Sequence, residues 1–392
     1  MSELDLGLKV AARRLLWRMG YSTRIDVPLR AYGPDPTQSA RTVESYTDLD
    51  VLGVTLVPGG SVGTAIVDCK TGGSSAISRM FWVRGLVDFF GAGSAYVVRD
   101  REISSGARQL AARLHLTALT GSEVAALEQL HPSPLPLEEE PLSNLFSEKH
   151  VAAVLQRYAE QDKKLKSLLE YRQFDYWVYD EHLNPVQMVE HLRGVRRTLD
   201  GRNPQHVAIL LDCAWLYLLT MTRAIDQIRR VHVSNVALGL KEYLLGGPAR
   251  VREKENIATL LGELQAAGEL PDTVSVDPLP SYTVAMAELL NRIMRRGDKV
   301  VDCLRYLEYV SSATMVSAKT SAAEGFGDDF DAIAGKIAEN VVAFLVQSAE
   351  LDGRLLVAAR ALLVQPAERA TEGVQSRTAP TDQLELGFPP RA

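Results

Sequence analysis

The chain has 392 residues, of which 46% are hydrophobic and 23% are charged, and its formal net charge is −6. This length exceeds that of most single cores and suggests two domains, while the charge excludes a globally basic nucleic-acid-binding protein. Three widely separated cysteines (Cys69, Cys213 and Cys303) form no CxxC pair, so neither a zinc knuckle nor a disulfide framework is indicated.

The N-terminal part begins with a helix and three strands. "LGLKVAARRLLWRMGY" has apolar residues at helical spacing, ends at Gly20 and carries Arg13, Arg14 and Arg18 on its remaining surface. "RIDVPLRAY" predicts a short strand, and Pro28 within it favours a position at the edge of a sheet. "DLDVLGVTLV" and "TAIVDCK" predict two further strands, which the glycine-rich "PGGSVG" joins as a hairpin.

Helices and strands then alternate. "SAISRMFWVRGLVDFFGAG" predicts a helix closed by Gly91, "SAYVV" a strand, "SSGARQLAARLHL" a serine-capped helix, "LTALTG" a strand and "SEVAALEQL" another capped helix. The order over residues 1–131 is therefore typical of an α/β domain with a mixed sheet flanked by helices.

The rest of the chain differs in composition. Residues 132–146 are rich in proline and acid and predict a linker, and nearly every segment of 147–364 has helical periodicity, which predicts an all-α C-terminal domain. The apolar window Val207–Met221 is short for a membrane span and contains Asp212, so a buried helix and no membrane contact are expected. Residues 365–392 lose apolar periodicity and predict a disordered tail. The first ten residues have no signal-peptide pattern, so a cytoplasmic protein is expected.

Charged side chains cluster at the predicted hairpin. Asp68 and Lys70 point to one face of their strand, because side chains alternate with period two, whereas Val67 and Cys69 face the opposite way into a core. Closure of the hairpin would bring Asp50 to the same end of the sheet as Asp68. Two carboxylates and a lysine predict a site for Mg²⁺ or Mn²⁺ that hydrolyses phosphodiesters.

Asp50, followed by Asp68-Cys69-Lys70 after a glycine-rich hairpin, resembles the PD-(D/E)XK nuclease superfamily. The order of elements over residues 5–130 is similar to its Mrr-like and archaeal-resolvase-like branches, which implies a restriction-endonuclease-like fold. The resemblance implies that Asp50 and Asp68 hold the metal, with the backbone carbonyl of Cys69, and that Lys70 is catalytic.

Many members of this superfamily add a glutamate from the first helix. This chain offers only Glu3 or Asp5 near the start of that helix, so Asp48 or Glu44 is expected as the supporting ligand.

Basic and aromatic side chains follow Lys70 on the next helix. Arg79 and Arg84 could contact DNA phosphates, or they could be ordinary solvated charges. The aromatic residues of this helix are expected to pack it on the sheet rather than to stack on bases; they are Phe81, Trp82, Phe89 and Phe90.

The tail contains "TDQLELGFPP", in which Gln383, Leu384, Leu386 and Phe388 give the pattern QLxLxF. It resembles the peptide by which bacterial DNA-processing enzymes dock on the sliding clamp, where glutamine bonds at a pocket rim and apolar side chains fill a groove. The alternatives are a tail that folds back on its own helical domain and a chance match.

These patterns predict a divalent-metal-dependent DNA nuclease that acts in repair, replication-linked processing or defence. The alternative is a nuclease-fold DNA-binding or scaffold protein without catalysis, and cleavage of RNA is a third, weaker possibility. The helical region has no motif for chemistry, so homodimer formation, partner binding and positioning of the nuclease all stay open.

Overall fold

The computed structural model describes residues 3–30, 45–57, 60–73, 75–177, 180–271, 277–318 and 320–364. Glu44, Gln383, Leu384, Leu386 and Phe388 lie outside the described residues, as does the whole predicted tail. Within the described parts, the N-terminal region forms a mixed five-stranded sheet with helices, and the remainder is helical.

The sheet has the strand order β1-β2-β3-β4-β5. The first three strands pair antiparallel and the last three pair parallel. The predicted edge position of the strand with Pro28 is confirmed. The strands are β1 (Ser22–Arg30), β2 (Ser45–Leu56), β3 (Val62–Lys70), β4 (Ser94–Arg99) and β5 (Thr117–Thr120).

Four helices accompany the strands in the predicted order. They are α1 (Glu3–Arg18), α2 (Ala76–Phe90), α3 (Ser105–Arg113) and α4 (Gly121–Gln129). Ser104 caps α3 through its side chain, Thr120 forms a capping box with Glu123 in α4, and Gly91 ends α2 with φ of 72°. These side-chain caps satisfy free N–H groups at the helix starts. The serine cap predicted for α3 is confirmed, whereas α4, predicted as the capped segment "SEVAALEQL", is capped by the preceding Thr120.

Each face of the sheet is covered by its own helices. Val67 and Cys69 lie in a core with Leu16 of α1 and Val124 of α4, as the alternation predicts. Ile66 faces the other way, toward the core built with α2 and α3. A Cβ on Gly53 of β2 would lie 3.0 Å from the Leu16 side chain, so glycine permits α1 to pack directly on this strand.

The remainder of the chain is helical and packs beside β1. Its helices are α5 (Glu148–Ala159), α6 (Lys166–Gln173), α7 (Asn184–Gly194), α8 (Pro204–Val231), α9 (Val236–Leu245), α10 (Pro248–Ala266), α11 (Thr283–Met294), α12 (Val300–Met315), α13 (Ala322–Phe326), α14 (Ala332–Ser348) and α15 (Gly353–Leu363). The predicted buried helix is α8. In the described part of the chain it alone is long and apolar enough to cross a membrane, and 94% of its apolar window is buried.

The stretch 132–146, predicted as a linker, is part of the core. Leu137, Leu142 and Leu145 are buried, and Phe146 packs edge-on against Trp17 of α1, with ring centroids 5.5 Å apart. Prolines and acidic residues give residues 132–146 the composition of a linker, but the apolar residues of this stretch pack in the core with α1 and α5. One hydrophobic core therefore runs from the sheet into the helices.

A buried carboxylate joins the two regions. Glu308 of α12 is 6% exposed and accepts six hydrogen bonds from four residues, Arg13, Trp17, Ser22 and Thr23. The expectation that Arg13 lies on the helix surface is wrong, because its guanidinium is buried against this carboxylate. Arg305, one turn earlier on α12, donates to the backbone carbonyls of Trp17 and Tyr21.

We predict that Glu308→Ala lowers the free energy of unfolding by about 3–5 kcal/mol, because it leaves the buried Arg13 guanidinium without its partner. Urea denaturation followed by circular dichroism measures this loss. The control is Glu288→Ala on α11, whose carboxylate is exposed and makes only a long ion pair, and which should change stability by about 0.5 kcal/mol or less. A loss below about 1 kcal/mol for Glu308→Ala would contradict a structural role for this carboxylate.

Candidate functional site

Three aspartates lie in a row across the first three strands. The register pairs Val51 with Val67, and Asp50 and Asp68 are the next residues outward on the two strands. It also pairs Ile25 with Val51 and Val27 with Leu49, which places Asp26 opposite Asp50. The hairpin therefore brings Asp50 and Asp68 to the same end of the sheet.

A lysine from α1 enters this row. Lys9 is 2% exposed, and its Nζ lies 2.6 Å from Oδ1 of Asp26 and 2.7 Å from Oδ1 of Asp50. Burial alone would lower the pKa of Lys9, but the charges and hydrogen bonds of the two aspartates outweigh it and hold that pKa above its ordinary value. Lys9 is therefore a permanent positive charge at the site.

Asp50 is buried at the centre of the row. Its Oδ2 accepts a hydrogen bond of 2.7 Å from the backbone N–H of Cys69, and its Oδ1 contacts Lys9. Burial raises the pKa of Asp50 to about 6, although Lys9 and the Cys69 N–H favour the ionised form. The charge of the site therefore changes in a range of pH where an ordinary aspartate is already ionised.

The carboxylates of Asp26, Asp48 and Asp50 form a group. One oxygen of each lies within 4.8 Å of the others. Asp48 and Asp50 are predicted from the sequence as site residues, whereas Asp26 is not. It interrupts the apolar residues of β1 and has φ of 55°, a left-handed conformation that aspartate tolerates better than most residues. An aspartate between buried Val27 and half-buried Ile25 is the signal that marks it.

Asp68 has a different partner. Its carboxylate is buried and forms two hydrogen bonds with the guanidinium of Arg79 on α2, one of them 2.8 Å from Nε to Oδ2. That guanidinium also lies 3.8 Å from the centre of the Trp82 ring. Arg79, a predicted DNA contact, is thus held at the site itself, while Arg84 forms an ion pair with Asp88 one turn further along α2.

Lys70 is the last residue of β3 and is half-buried. Its ammonium group has neither a hydrogen bond nor an ion pair with any residue that the structure describes, unlike Lys9. Cys69 beside it faces the opposite core, and burial raises the pKa of its thiol well above the ordinary value. The thiol is therefore protonated, and Lys70 is the side chain in "DCK" that is free to meet a substrate.

The exposed side of α2 carries an aromatic patch, which we define as Tyr46, Phe81, Trp82 and Phe89. Phe81 is 57% exposed, Trp82 36% and Phe89 62%, and Tyr46 packs edge-on against Phe89 with ring centroids 6.0 Å apart. The expectation that the aromatic residues of this helix pack it on the sheet is wrong for these three. The side chains that do so are aliphatic; they are Met80, Val83, Leu86 and Val87. Phe90 is half-buried and contacts Trp177.

Helix α1 places Lys9 at the site, whereas the resemblance to the PD-(D/E)XK superfamily implies a glutamate from the first helix. Asp5 is half-buried near the start of α1, and the side chain of Glu3 lies outside the described residues. The α1 side chain that contacts Asp50 is Lys9. Sequence reasoning missed it, since a lysine within an amphipathic helix is usually solvated.

Comparisons with known proteins add no relative. No protein-family model matches the chain, and neither a curated protein nor a solved structure matches it.

We predict that Asp50 titrates with a pKa of about 6 and that Lys9→Met raises this pKa further, because burial remains while the opposing charge is removed. Carboxyl ¹³C shifts of selectively labelled aspartates measure both values, and Asp50→Asn assigns the signal.

The raised pKa of Asp50 makes the free energy of unfolding depend on pH. Asp50 holds its proton more tightly in the folded protein than at the ordinary value of 3.8, so its contribution to stability falls as pH rises from about 4 to about 6. The difference in free energy of unfolding between wild type and Asp50→Asn should fall over this window. A midpoint near 4 for Asp50 in the wild type would contradict the burial argument.

Proposed function

We propose that the protein is a divalent-metal-dependent DNA nuclease whose active site is formed by Asp50, Asp68 and Lys70. The observation that carries the proposal is the placement of Asp50 and Asp68 at the same end of a β-hairpin. Lys70, whose ammonium pairs with no residue that the structure describes, follows two residues further along β3. The helix, three antiparallel strands, helix and parallel strand around these residues also agree with the PD-(D/E)XK superfamily.

The donor atoms at the site fit a hard cation. Carboxylate oxygens are the ligands that Mg²⁺ and Mn²⁺ prefer, and Asp26, Asp48 and Asp50 bring three together. Asp50 and Asp68 would hold the ion, with Asp48 or the backbone carbonyl of Cys69 in support. Asp68 lies outside this group of three and is bonded to Arg79, so it would become a ligand only after releasing that guanidinium. When bound, the ion would neutralise phosphate charge and lower the pKa of a water molecule.

The side chains have separate roles in the proposed reaction. Lys70 would stabilise negative charge on the phosphate or position the attacking water, because its ammonium has no partner among the described residues. Burial raises the pKa of Asp50 to about 6, so this carboxyl is half ionised at that pH and the site approaches its full negative charge above neutral pH. Arg79 and the exposed ring of Trp82 beside it offer a cation for a phosphate and a face for a base.

A second candidate function is DNA binding without catalysis, as a scaffold. It is favoured by the pairing of both key carboxylates with protein cations, Asp50 with Lys9 and Asp68 with Arg79. Four carboxylates (Asp26, Asp48, Asp50 and Asp68) face three cations (Lys9, Lys70 and Arg79), so the site carries a net charge of only about −1. Such a balance weakens the attraction of a divalent ion relative to an unpaired carboxylate cluster.

We predict that the wild type cuts labelled DNA in Mg²⁺ or Mn²⁺ but not in EDTA, and that Lys70→Ala reduces the rate about 100-fold or more, because transition-state charge loses its stabilising cation. Duplex, single-stranded, flapped and mismatched substrates, with an RNA strand for comparison, measure the rate and the preference. The control is Lys164→Ala, an exposed lysine before α6 that should leave the rate unchanged.

The same assay separates the two candidates. Cleavage by Lys70→Ala at the wild-type rate would remove Lys70 from the mechanism. The scaffold function would be favoured if the folded wild type binds DNA without cutting it and Trp82→Ala weakens that binding.

We also propose that the C-terminal tail recruits the protein to the bacterial sliding clamp through Gln383, Leu384, Leu386 and Phe388. The support is the QLxLxF pattern in a polar segment. Repair, replication-linked processing and defence are all settings in which such recruitment would serve a nuclease.

We predict that Phe388→Ala weakens binding to the purified clamp about tenfold or more, since an aromatic anchor in an apolar pocket is a typical hot spot. Surface plasmon resonance with immobilised clamp measures the affinity. Glu385→Ala is the matched control, because it changes a position of the motif that carries no anchor. No binding by the full-length protein would overturn the recruitment proposal and leave the nuclease proposal standing.

A further inference from the structure

A cavity of about 430 Å³ lies between β1 and the helical region, away from Lys70. Its lining comes from α1, β1, α5, α6, α8 and α12, together with Trp177. Ligand sites occur preferentially between structural units, in clefts of about 300–1,000 Å³. The size and place of this cavity are therefore those of a small-molecule site.

The walls are aromatic and aliphatic. Tyr158, Trp177 and Trp215 line the cavity together with Val154 and Leu155 of α5. The guanidinium of Arg172 lies 3.8 Å from the centre of the Tyr158 ring, and that of Arg24 lies 5.0 Å from the centre of the Trp215 ring. Flat apolar surfaces thus stand directly beside cationic groups.

The carboxylates that line the cavity are already engaged. Glu308 takes its six hydrogen bonds from α1 and β1, and Asp26 holds Lys9. Asp212 accepts two hydrogen bonds from Arg24, of 2.9 and 3.1 Å, and a third from Nε of Arg172. One carboxylate thus serves two guanidinium groups, which leaves one positive charge in excess at this point.

Arg172 has donors to spare. Only its Nε is bonded to Asp212, and its two terminal nitrogens have no acceptor among the residues that the structure describes. A nearly buried guanidinium gains free energy from an acceptor, most of all from an anionic one. At Arg172 the cavity therefore has unused donors, whereas both oxygens of the neighbouring Asp212 already accept hydrogen bonds, which favours an anion over a cation as the ligand at this point.

We propose that this cavity binds a small organic anion, a carboxylate or a phosphate monoester attached to a flat apolar ring. The anionic group lies on the terminal nitrogens of Arg172, beside Arg24. The ring lies among Tyr158, Trp177 and the aliphatic side chains of α5. Asp50, Asp68 and Lys70 do not line this cavity, although Asp26 beside Asp50 does, and the inference rests on Arg172 and not on the nuclease proposal.

Isothermal titration calorimetry of the full chain with benzoate, phenyl phosphate and uncharged benzyl alcohol tests the proposal. Either anion should bind one to one, and benzyl alcohol should bind about tenfold more weakly or not at all, the difference expected for one charge-assisted hydrogen bond. The preference between benzoate and phenyl phosphate identifies the anionic group.

Two variants locate the ligand. Arg172→Gln should weaken binding of the anion about tenfold while Asp212 keeps both hydrogen bonds from Arg24. Ala159→Trp should block the cavity from its exposed rim on α5, and Ala152→Trp, exposed on the same helix outside the lining, is its matched control.

Circular dichroism checks that each variant folds. Absence of saturable binding of both anions at millimolar concentration would overturn the proposal. Binding that neither Arg172→Gln nor Ala159→Trp weakens would also overturn it, because the ligand would then lie elsewhere.

Discussion

The buried carboxylate of Glu308 is the interaction on which the arrangement of the molecule depends. It comes from a helix late in the chain and accepts hydrogen bonds from α1 and from the start of β1. A buried charge with its acceptors satisfied cannot shift without leaving several donors unpaired, so it defines the position of α1 against β1. That position in turn brings Lys9 of α1 to Asp26 of β1 and to Asp50 of β2. The helical region therefore takes part in building the candidate site, although none of its described residues is part of that site.

The candidate site is a set of carboxylates that the protein neutralises with its own cations. Lys9 is buried and pairs with two aspartates, whereas Arg79 is partly exposed and pairs with Asp68 from the solvent side of α2. The two cations differ in how readily they can be displaced. Arg79 can leave Asp68 for solvent while it stays stacked on Trp82, where it can contact nucleic acid. Lys9 is buried and cannot move into solvent in this way. A metal ion that enters must therefore compete for Asp50 with a lysine that stays in place, and this competition decides between the enzyme and the scaffold.

Local patterns predicted the elements well because period and capping are properties of short segments. The alternation in "TAIVDCK", the serine cap of α3 and Gly91 each act within a few residues, and the strands and helices lie where they indicate. The partners of Asp50 could not be predicted in this way, because Lys9 and Asp26 reach it only through the packing of α1 and the register of β1. The same holds for Arg13, whose partner Glu308 lies 295 residues away.

The prediction of a linker over residues 132–146 was wrong for another reason. Composition does not reveal that a proline-rich segment buries four large apolar side chains. The exposed aromatic patch on α2 was missed because large apolar residues on a helix usually face a core.

A metal ion bound to Asp50 and Asp68 is the feature that a metal-dependent nuclease cannot lack. A crystal grown near pH 7.5 and soaked in Mn²⁺ gives anomalous scattering that locates the ion independently of any activity. For a metal-dependent nuclease we expect an anomalous peak of Mn²⁺ liganded by Asp50 and Asp68, with the guanidinium of Arg79 moved away from Asp68. No peak at millimolar Mn²⁺, with Lys9 and Arg79 still bonded to these two carboxylates, would contradict the metal-dependent nuclease and leave a charge-balanced scaffold.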